Sequence, residues 1–527
     1  MAWAQPLPLD RRRRRVRLGR AIRGRSPPRP GRDLQVRHEV LRDHRPRGAL
    51  VRHAPLRAAN RRGVLPLAAQ DARGLRGPHV GIERRGRKRV GERSLGHGDI
   101  PLPLVTTDFE SRSADWLEVD TALARVMSAA APLASERLPL LECLGRSLAE
   151  EVVAEATLPP WTNSAMDGYA VHAEDVRNAG AATPVTLRVV SCVRAGDGPG
   201  RSIGAGEAAR IMTGAPIPPG ADSVVRVEDT DREREDGLVR VLDGRDAGHN
   251  LRPAGQDMRL GERLLSRGHS ITPGTIGVLA AAGRATVAVH RRPSAAILTT
   301  GDELRGPERF DDVRAGAGVP NSNGPMLAAM VAAAGAEAVS VGNAADDRED
   351  LRARLEDARD SDVLITVGGA SMGEADLVKR VLDEMGYRPD FWRVRMRPGS
   401  PFGFGWLPRG GRLQPTFTLP GNPTSAFVTF EVFARPFLRR IAGYERTQRP
   451  RVVCRAAEVI RAPAALSYFL RVALEGDGPD MRARLTGPQG SGLVSGLARA
   501  GGLAVIPEHL AEVEVGGEVL VMLIGEA

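Results

Sequence analysis

The sequence predicts a multidomain α/β protein, and three observations carry that expectation. The chain has 527 residues, more than a single core fills. Residues 291 to 442 alternate continuous apolar runs with amphipathic stretches, the pattern of a parallel sheet covered on both faces. The regions flanking this stretch are rich in Gly, Pro and short β-branched runs, as expected of smaller β domains.

Taken in order, the chain opens on RRRRRVRLGR and stays dense in Arg, Pro, Gly and His without a sustained helical or strand period. Its net charge of +11 is concentrated there: residues 1–100 hold 27 Lys plus Arg against 8 Asp plus Glu, leaving 48 against 56 for the rest. Residues 1–112 are therefore expected to be a disordered Arg-rich extension. A misplaced start in a GC-rich reading frame accounts for the composition, and a basic arm for nucleic acid or lipid, or a targeting peptide, are the alternatives. The remainder is mildly acidic and gives a nucleic-acid reading no support.

Cys143, Cys192 and Cys454 are widely spaced with no CxxC, which argues against a disulfide framework or a cysteine zinc site and fits a reducing cytoplasm. No apolar run is long enough to span a membrane.

Residues 116–150 read as a helix, a Pro-marked break and a second short helix. A β-rich stretch follows, with strands at TLRVVSCV and DSVVRVED. ITPGTIGVLAAAG then starts at a Thr272 N-cap with Pro273 in the first helical position and stops at Gly283. In the alternating region SAAILTTG, EAVSVG and DVLITVGG read as strands; PMLAAMVAAAG, DREDLRARLEDA and EADLVKRVLDEMG read as the helices between them. TFTLPGNPTSAFVTFEVFARPFLRRIAG gives a strand, a tight turn and a long helix, and RVVCRA, LRVAL and GEVLVMLI are strands of a C-terminal β domain.

In such a sheet a ligand sits beyond the carboxyl ends of the strands, and the informative residues fall there. ILTTGDEL delivers Glu303. LITVGGASMGEAD delivers Gly368, Gly369, Ser371, Gly373 and Asp376: glycines let backbone N–H groups approach an anion, and the Asp376 carboxylate suits a divalent cation bridging phosphate oxygens. A Gly-rich turn after a strand is equally a common structural device. Pro420, Gly421, Asn422 and Pro423 form a turn in which Asn422 is an N-cap and Pro423 the first helical residue. In FWRVRMRPGSPFGFG, Arg393, Arg395 and Arg397 alternate, so an extended segment places all three on one face, around an anion or along a solvated edge. The β-rich stretch adds isolated polar residues on loops: Asp167 in PWTNSAMDGYAV, Thr213 in RIMTGAP, and Arg252 and Asp257 in LRPAGQD. Turn chemistry and a surface pair explain the last three equally well. No GxSxG, HExxH or Walker GxxxxGK[ST] is present.

These seven motifs, in this order, resemble those of the MoeA family of molybdopterin molybdenumtransferases, which includes the E domain of gephyrin; the resemblance covers roughly residues 116–527 and leaves Val105 as a candidate true start. Pattern and resemblance together divide the chain into a helical linking domain (116–156 with 265–290), a β-rich insert (157–264), an α/β molybdopterin-binding domain (291–445) and a C-terminal β domain (446–527). The resemblance implies a homodimer whose active site lies between the α/β domain of one subunit and the insert of the other. It implies adenylylated molybdopterin and molybdate as substrates, Mg2+ as cofactor at Glu303 and Asp376, release of AMP, and the molybdopterin adenylyltransferase as a partner. By motif match, Asp167, Thr213, Glu303, Asp376, Arg393 and Arg397 are catalytic, and Arg252, Asp257, the Gly368–Gly373 loop and Pro420–Pro423 bind substrate. A gephyrin-like scaffold of the same fold is the alternative function. The chain departs from the family in carrying Arg393 and Arg397 where lysines are usual, Ser400 where a third lysine often stands, and Ala345 where an arginine is common. Arginine keeps the charge and changes the donor geometry.

Overall fold

The computed structural model describes residues 116–368, 377–463 and 465–525. The extension expected at 1–112, and Gly369, Ser371, Gly373 and Asp376, lie outside the described residues.

The first helix, Val119–Ser128, turns an apolar face with Ala122, Leu123 and Val126 inward. The second helix expected before residue 150 is instead a strand, Ser135–Pro139, paired antiparallel with Thr286–His290, followed by one 3-10 turn at Leu140–Cys143. Pro132 and Pro139 explain the difference, because each lacks the N–H that a continuing helix requires. The helix Pro273–Ala281 forms as read: the Thr272 hydroxyl accepts from the Thr275 N–H at 3.2 Å.

The insert contains a five-stranded sheet ordered Ser223–Arg226, Gly168–Val171, Glu207–Ile211, Val185–Val193, Leu238–Val241. Its second strand begins at Gly168, where a Cβ would lie 2.0 Å from the Val225 carbonyl oxygen, so no other residue fits.

The α/β region is built on six strands: β1 (Ser294–Thr300), β2 (Glu337–Ala344), β3 (Val363–Val367), β4 (Arg388–Trp392), β5 (Gly403–Arg409) and β6 (Arg412–Leu419). Their order is β2-β1-β3-β6-β5-β4. The first four positions are parallel, as the apolar runs predict. The sheet is mixed at its far edge, where β5 pairs antiparallel with β6 and β4 with β5. The two-residue Gly410-Gly411 turn between β5 and β6 is too short for a crossover and forces that reversal. Phe402, Phe404 and Phe417 of this hairpin region pack with Phe433 and Phe437 of the helical stretch that follows β6, the Phe402 and Phe433 rings stacking at 4.4 Å. Burying each ring stabilises the fold by about 2–3 kcal/mol.

The C-terminal region closes into a small barrel. Ser467–Glu475 pairs with Arg482–Leu485 and with Gly502–Ile506; Glu518–Leu523 pairs with Gly502–Ile506 and Arg451–Ala456; and Arg451–Ala456 returns to Arg482–Leu485. Among the described residues no helix is long and apolar enough to cross a membrane.

Candidate functional site

The parallel strands bring their carboxyl ends to one edge, and the register fixes the level of each. Thr300 lies beside Ala344, Thr299 beside Val367, and Val367 beside Leu419. The Gly301 N–H donates to the Ala344 carbonyl and the Gly368 N–H to the Leu419 carbonyl, each at 3.2 Å, closing the strand ends into turns. A Cβ on Gly368, whose φ is 101°, would meet the Thr300 hydroxyl at 2.7 Å and the Thr300 carbonyl at 3.0 Å, and a Cβ on Gly421 would sit 3.5 Å from the Gly368 Cα. Two turns thus meet backbone to backbone, with no room for a side chain on Gly368 between them. Glu303 is exposed at this edge, with its carboxylate folded back over Gly301.

Pro420, Gly421, Asn422 and Pro423 form the expected turn, with Pro423 opening the helix Pro423–Thr429. The Asn422 side chain makes no capping hydrogen bond, so the capping role expected of it is limited to its backbone position. Tertiary contacts hold the turn instead. The Asn323 amide donates to the Gly421 carbonyl at 2.6 Å, and the Thr424 N–H donates to the Ser491 carbonyl at 3.0 Å. Arg471 of the barrel, fully buried, donates to the Thr424 hydroxyl and to the Pro488, Gly490 and Leu493 carbonyls.

Sequence reasoning missed a network of amides under this edge. The Asn321 amide donates to the Thr299 hydroxyl at 2.9 Å, Thr299 donates to the Asn343 side-chain amide oxygen at 3.0 Å, and the Asn343 amide N–H donates to the Gly301 main-chain carbonyl at 2.9 Å. These bonds tie the Gly301–Glu303 loop to the neighbouring strand and to the 321–324 turn. The signal available was the polar run NSN before a helix, but its partners are more than twenty residues away in sequence.

The expectation that Arg393, Arg395 and Arg397 share one strand face is overturned. β4 ends at Trp392, and Arg393 takes a positive φ of 89°, which breaks the alternation. Met396–Arg397 then joins the C-terminal barrel, running parallel to Ser467-Tyr468. Arg395 is committed to Glu118 and to Glu508, the latter at 3.2 Å. Arg397 is exposed, and the Arg393 guanidinium lies over the Trp116 ring, 5.4 Å from its centre. The register of the sheet runs Trp392–Gly403–Thr418–Thr366, so the end of β4 is level with the ends of β3 and β6 and Arg393 emerges at the same edge. Two strand spacings, roughly 10 Å, separate it laterally from the Pro420–Asn422 turn. Ser400, where the family often has lysine, turns its hydroxyl to the Met396 carbonyl, and the Ala345 N–H is held by Asp350 at 2.8 Å.

In the insert, Asp167 and Thr213 meet: the Thr213 N–H and hydroxyl both donate to one Asp167 carboxylate oxygen, at 2.6 and 2.8 Å. The backbone donor above all, then the hydroxyl, holds the Asp167 pKa below its ordinary value, so this exposed carboxylate is ionised and oriented. Its carbonyl accepts from the Val227 N–H at 3.0 Å. Arg252 lies opposite Asn163 on a short ribbon beside the same 163–167 segment, and the Asp257 N–H donates to the Leu158 carbonyl at the base of that segment. Arg252 and Asp257 are both exposed, and no ion pair joins them among the described residues. No hydrogen bond or ion pair among the described residues links this group to the α/β edge.

Hard carboxylate oxygens suit magnesium, which takes one or two of them and completes its shell with water and phosphate oxygens. Glu303 is such a donor at the edge. No cluster of three His, Cys, Asp or Glu groups occurs among the described residues, and Glu303 is the carboxylate at this edge that such an ion could take.

A sheet whose glycine turns and Arg393 lie along one edge, beside two β-rich regions, defines a class. Residues 296–440 match the family model described as a probable molybdopterin binding domain, residues 117–283 the MoeA N-terminal region (domain I and II), and residues 454–524 the MoeA C-terminal region (domain IV). The chain belongs to the MoeA family. It is 36% identical over 410 residues to molybdopterin molybdenumtransferase 2 of Mycobacterium tuberculosis, covering 77% of this chain and 98% of the relative. It is 32% identical over 416 residues to molybdopterin molybdenumtransferase of Bacillus subtilis, covering 78% and 94%. The solved structure of the molybdopterin biosynthesis moeA protein from Pyrococcus horikoshii OT3 superimposes with a TM-score of 0.66 at 27% identity, covering 78% of this chain and all of that one.

Proposed function

We propose that the chain is a molybdopterin molybdenumtransferase: it takes adenylylated molybdopterin and molybdate, inserts molybdenum into the dithiolene and releases AMP. Family membership supports the class. The observation that carries the reading to this chain's own residues is the shared level of Gly301–Glu303, Gly368, Pro420–Asn422 and Arg393 along one sheet edge. A substrate with a phosphoanhydride and an oxyanion requires such an edge, with main-chain donors close to phosphate and a cation a short distance away.

In this reading the two glycine turns bind and orient the anhydride, and Arg393 and Arg397 hold molybdate. Asp167, kept ionised by Thr213, accepts a proton at the reacting centre, while Arg252 and Asp257 grip the substrate from the insert side. Glu303 and Asp376 would hold magnesium, which would supply neutralising charge for the substrate's phosphate groups. Positioning then does the work that a strong nucleophile does elsewhere, in keeping with the absence of a nucleophile motif. The insert groups reach the edge of a partner subunit in a homodimer, acting in the cytoplasm on substrate received from the adenylyltransferase.

The test uses the purified full chain with adenylylated molybdopterin, molybdate and magnesium, following AMP beside an Asp167→Ala control. Molybdate-dependent AMP release that the control loses supports the reading. Absence of release from both proteins moves the scaffold alternative to first place.

A further inference from the structure

The segment that precedes the first helix runs alongside the residues after β4. Leu117 and Val394 form a parallel bridge, the Arg395 N–H donates to the Leu117 carbonyl at 2.8 Å, and Glu118 pairs with the Arg395 guanidinium. This pairing sets Trp116 beside Arg393, whose guanidinium carbon lies 5.4 Å from the indole ring centre. The two arginines are used differently. Arg395 is occupied by carboxylates on both sides, Glu118 and Glu508. Arg393 has no carboxylate partner among the described residues, and its positive φ of 89° is fixed by an N–H donated to the Phe402 carbonyl at 2.8 Å. A backbone held in that region by its surroundings is a frequent mark of a functional position.

Guanidinium chemistry gives this placement a purpose. The group stacks on an aromatic ring through its face and donates hydrogen bonds in its plane, so stacking leaves the donor edges available to a tetrahedral oxyanion. We propose that Trp116 is a positioning residue: it is the shelf on which Arg393 lies, fixing the plane in which Arg393 donates to molybdate. The inference rests on the proposed reading of Arg393 as an oxyanion ligand. A lysine in the same place keeps the charge and loses the planar edge, so shelf and arginine act as a pair.

The experiment measures binding of molybdate alone to the full chain by equilibrium dialysis, together with KM for molybdate and kcat. It compares the parent chain with Trp116→Leu, Trp116→Phe, Arg393→Lys, Arg393→Ala and the double variant Trp116→Leu/Arg393→Lys. Trp116→Leu is expected to weaken binding and raise KM about three- to tenfold with kcat within a factor of two, and Trp116→Phe to restore most of the loss, in line with one cation–π contact. In the Arg393→Lys background the same leucine substitution is expected to add little. If Trp116→Leu leaves binding intact while Arg393→Ala abolishes it, the shelf is refuted and the site reading stands. An equal effect of Trp116→Leu in both backgrounds refutes the pairing in favour of a general structural role. If Arg393→Ala itself binds molybdate normally, it is the proposed reading of Arg393 that fails.

Discussion

The insert and the α/β edge present candidate groups in opposite ways. In the insert a single side chain is fixed by a neighbour, Asp167 by the two donors of Thr213. At the edge the main chain itself is the fixed feature, with Gly368 and Gly421 back to back over Thr300 and a layer of amides beneath. The difference teaches that the two halves fail differently. Under the proposed function, loss of the Asp167 carboxylate is expected to remove chemistry and leave the fold, whereas a methyl group on Gly368 is expected to displace the scaffold.

Asp167→Ala gives the strongest test of that contrast. Because the residue is exposed, the thermal midpoint is expected to hold while AMP release falls about 1000-fold, within the range for losing a positioned proton acceptor. A matching drop in midpoint would break the comparison. For Gly368→Ala, the positive φ and the 2.7 Å clash predict the reverse pairing of effects. Stability measured by urea unfolding should fall by about 2–3 kcal/mol, with roughly a 100-fold loss of activity from the displaced turns.

Thr213→Val sharpens the insert side. It keeps the backbone donor and removes the hydroxyl, so activity should fall about tenfold. It also moves the pH profile in a defined direction. The folded pKa of Asp167 is depressed, so the ionised, paired state persists above that value and is lost as the pH falls through it. With the hydroxyl gone, the acid limb of the rate profile should shift to higher pH. At the small end, Glu118→Gln removes one of the two carboxylates on Arg395 from a largely exposed position. Its effect on stability should be no more than about 0.5 kcal/mol, as for other surface pairs.

Much of the α/β architecture was legible because apolar strands and capped helices are local signals. Gly335 and Gly386, both at positive φ, mark two helix ends there, and Thr272 with Pro273 marks a helix start in the linking region. The antiparallel hairpin of β5 and β6 escaped because a Gly-Gly turn sets strand direction, and an apolar run does not record direction. Asp167 and Thr213 were legible as motif residues. Their mutual hydrogen bonds were not, since they lie 46 positions apart in sequence and neighbour each other only through the pairing of adjacent strands. The three arginines looked alike because alternation implies a common face, and one residue at φ 89° cancels that implication.

Arg471 gives the C-terminal barrel a significance beyond its own folding. Its buried guanidinium joins the barrel's 488–493 loop to Thr424, one residue into the helix opened by the Pro420–Asn422 turn. The boundary between these regions along the chain is therefore not a boundary in energy, and the barrel is no detachable module. A chimera that exchanges barrels between relatives should remain functional only when the arginine, its loop and the threonine are inherited together.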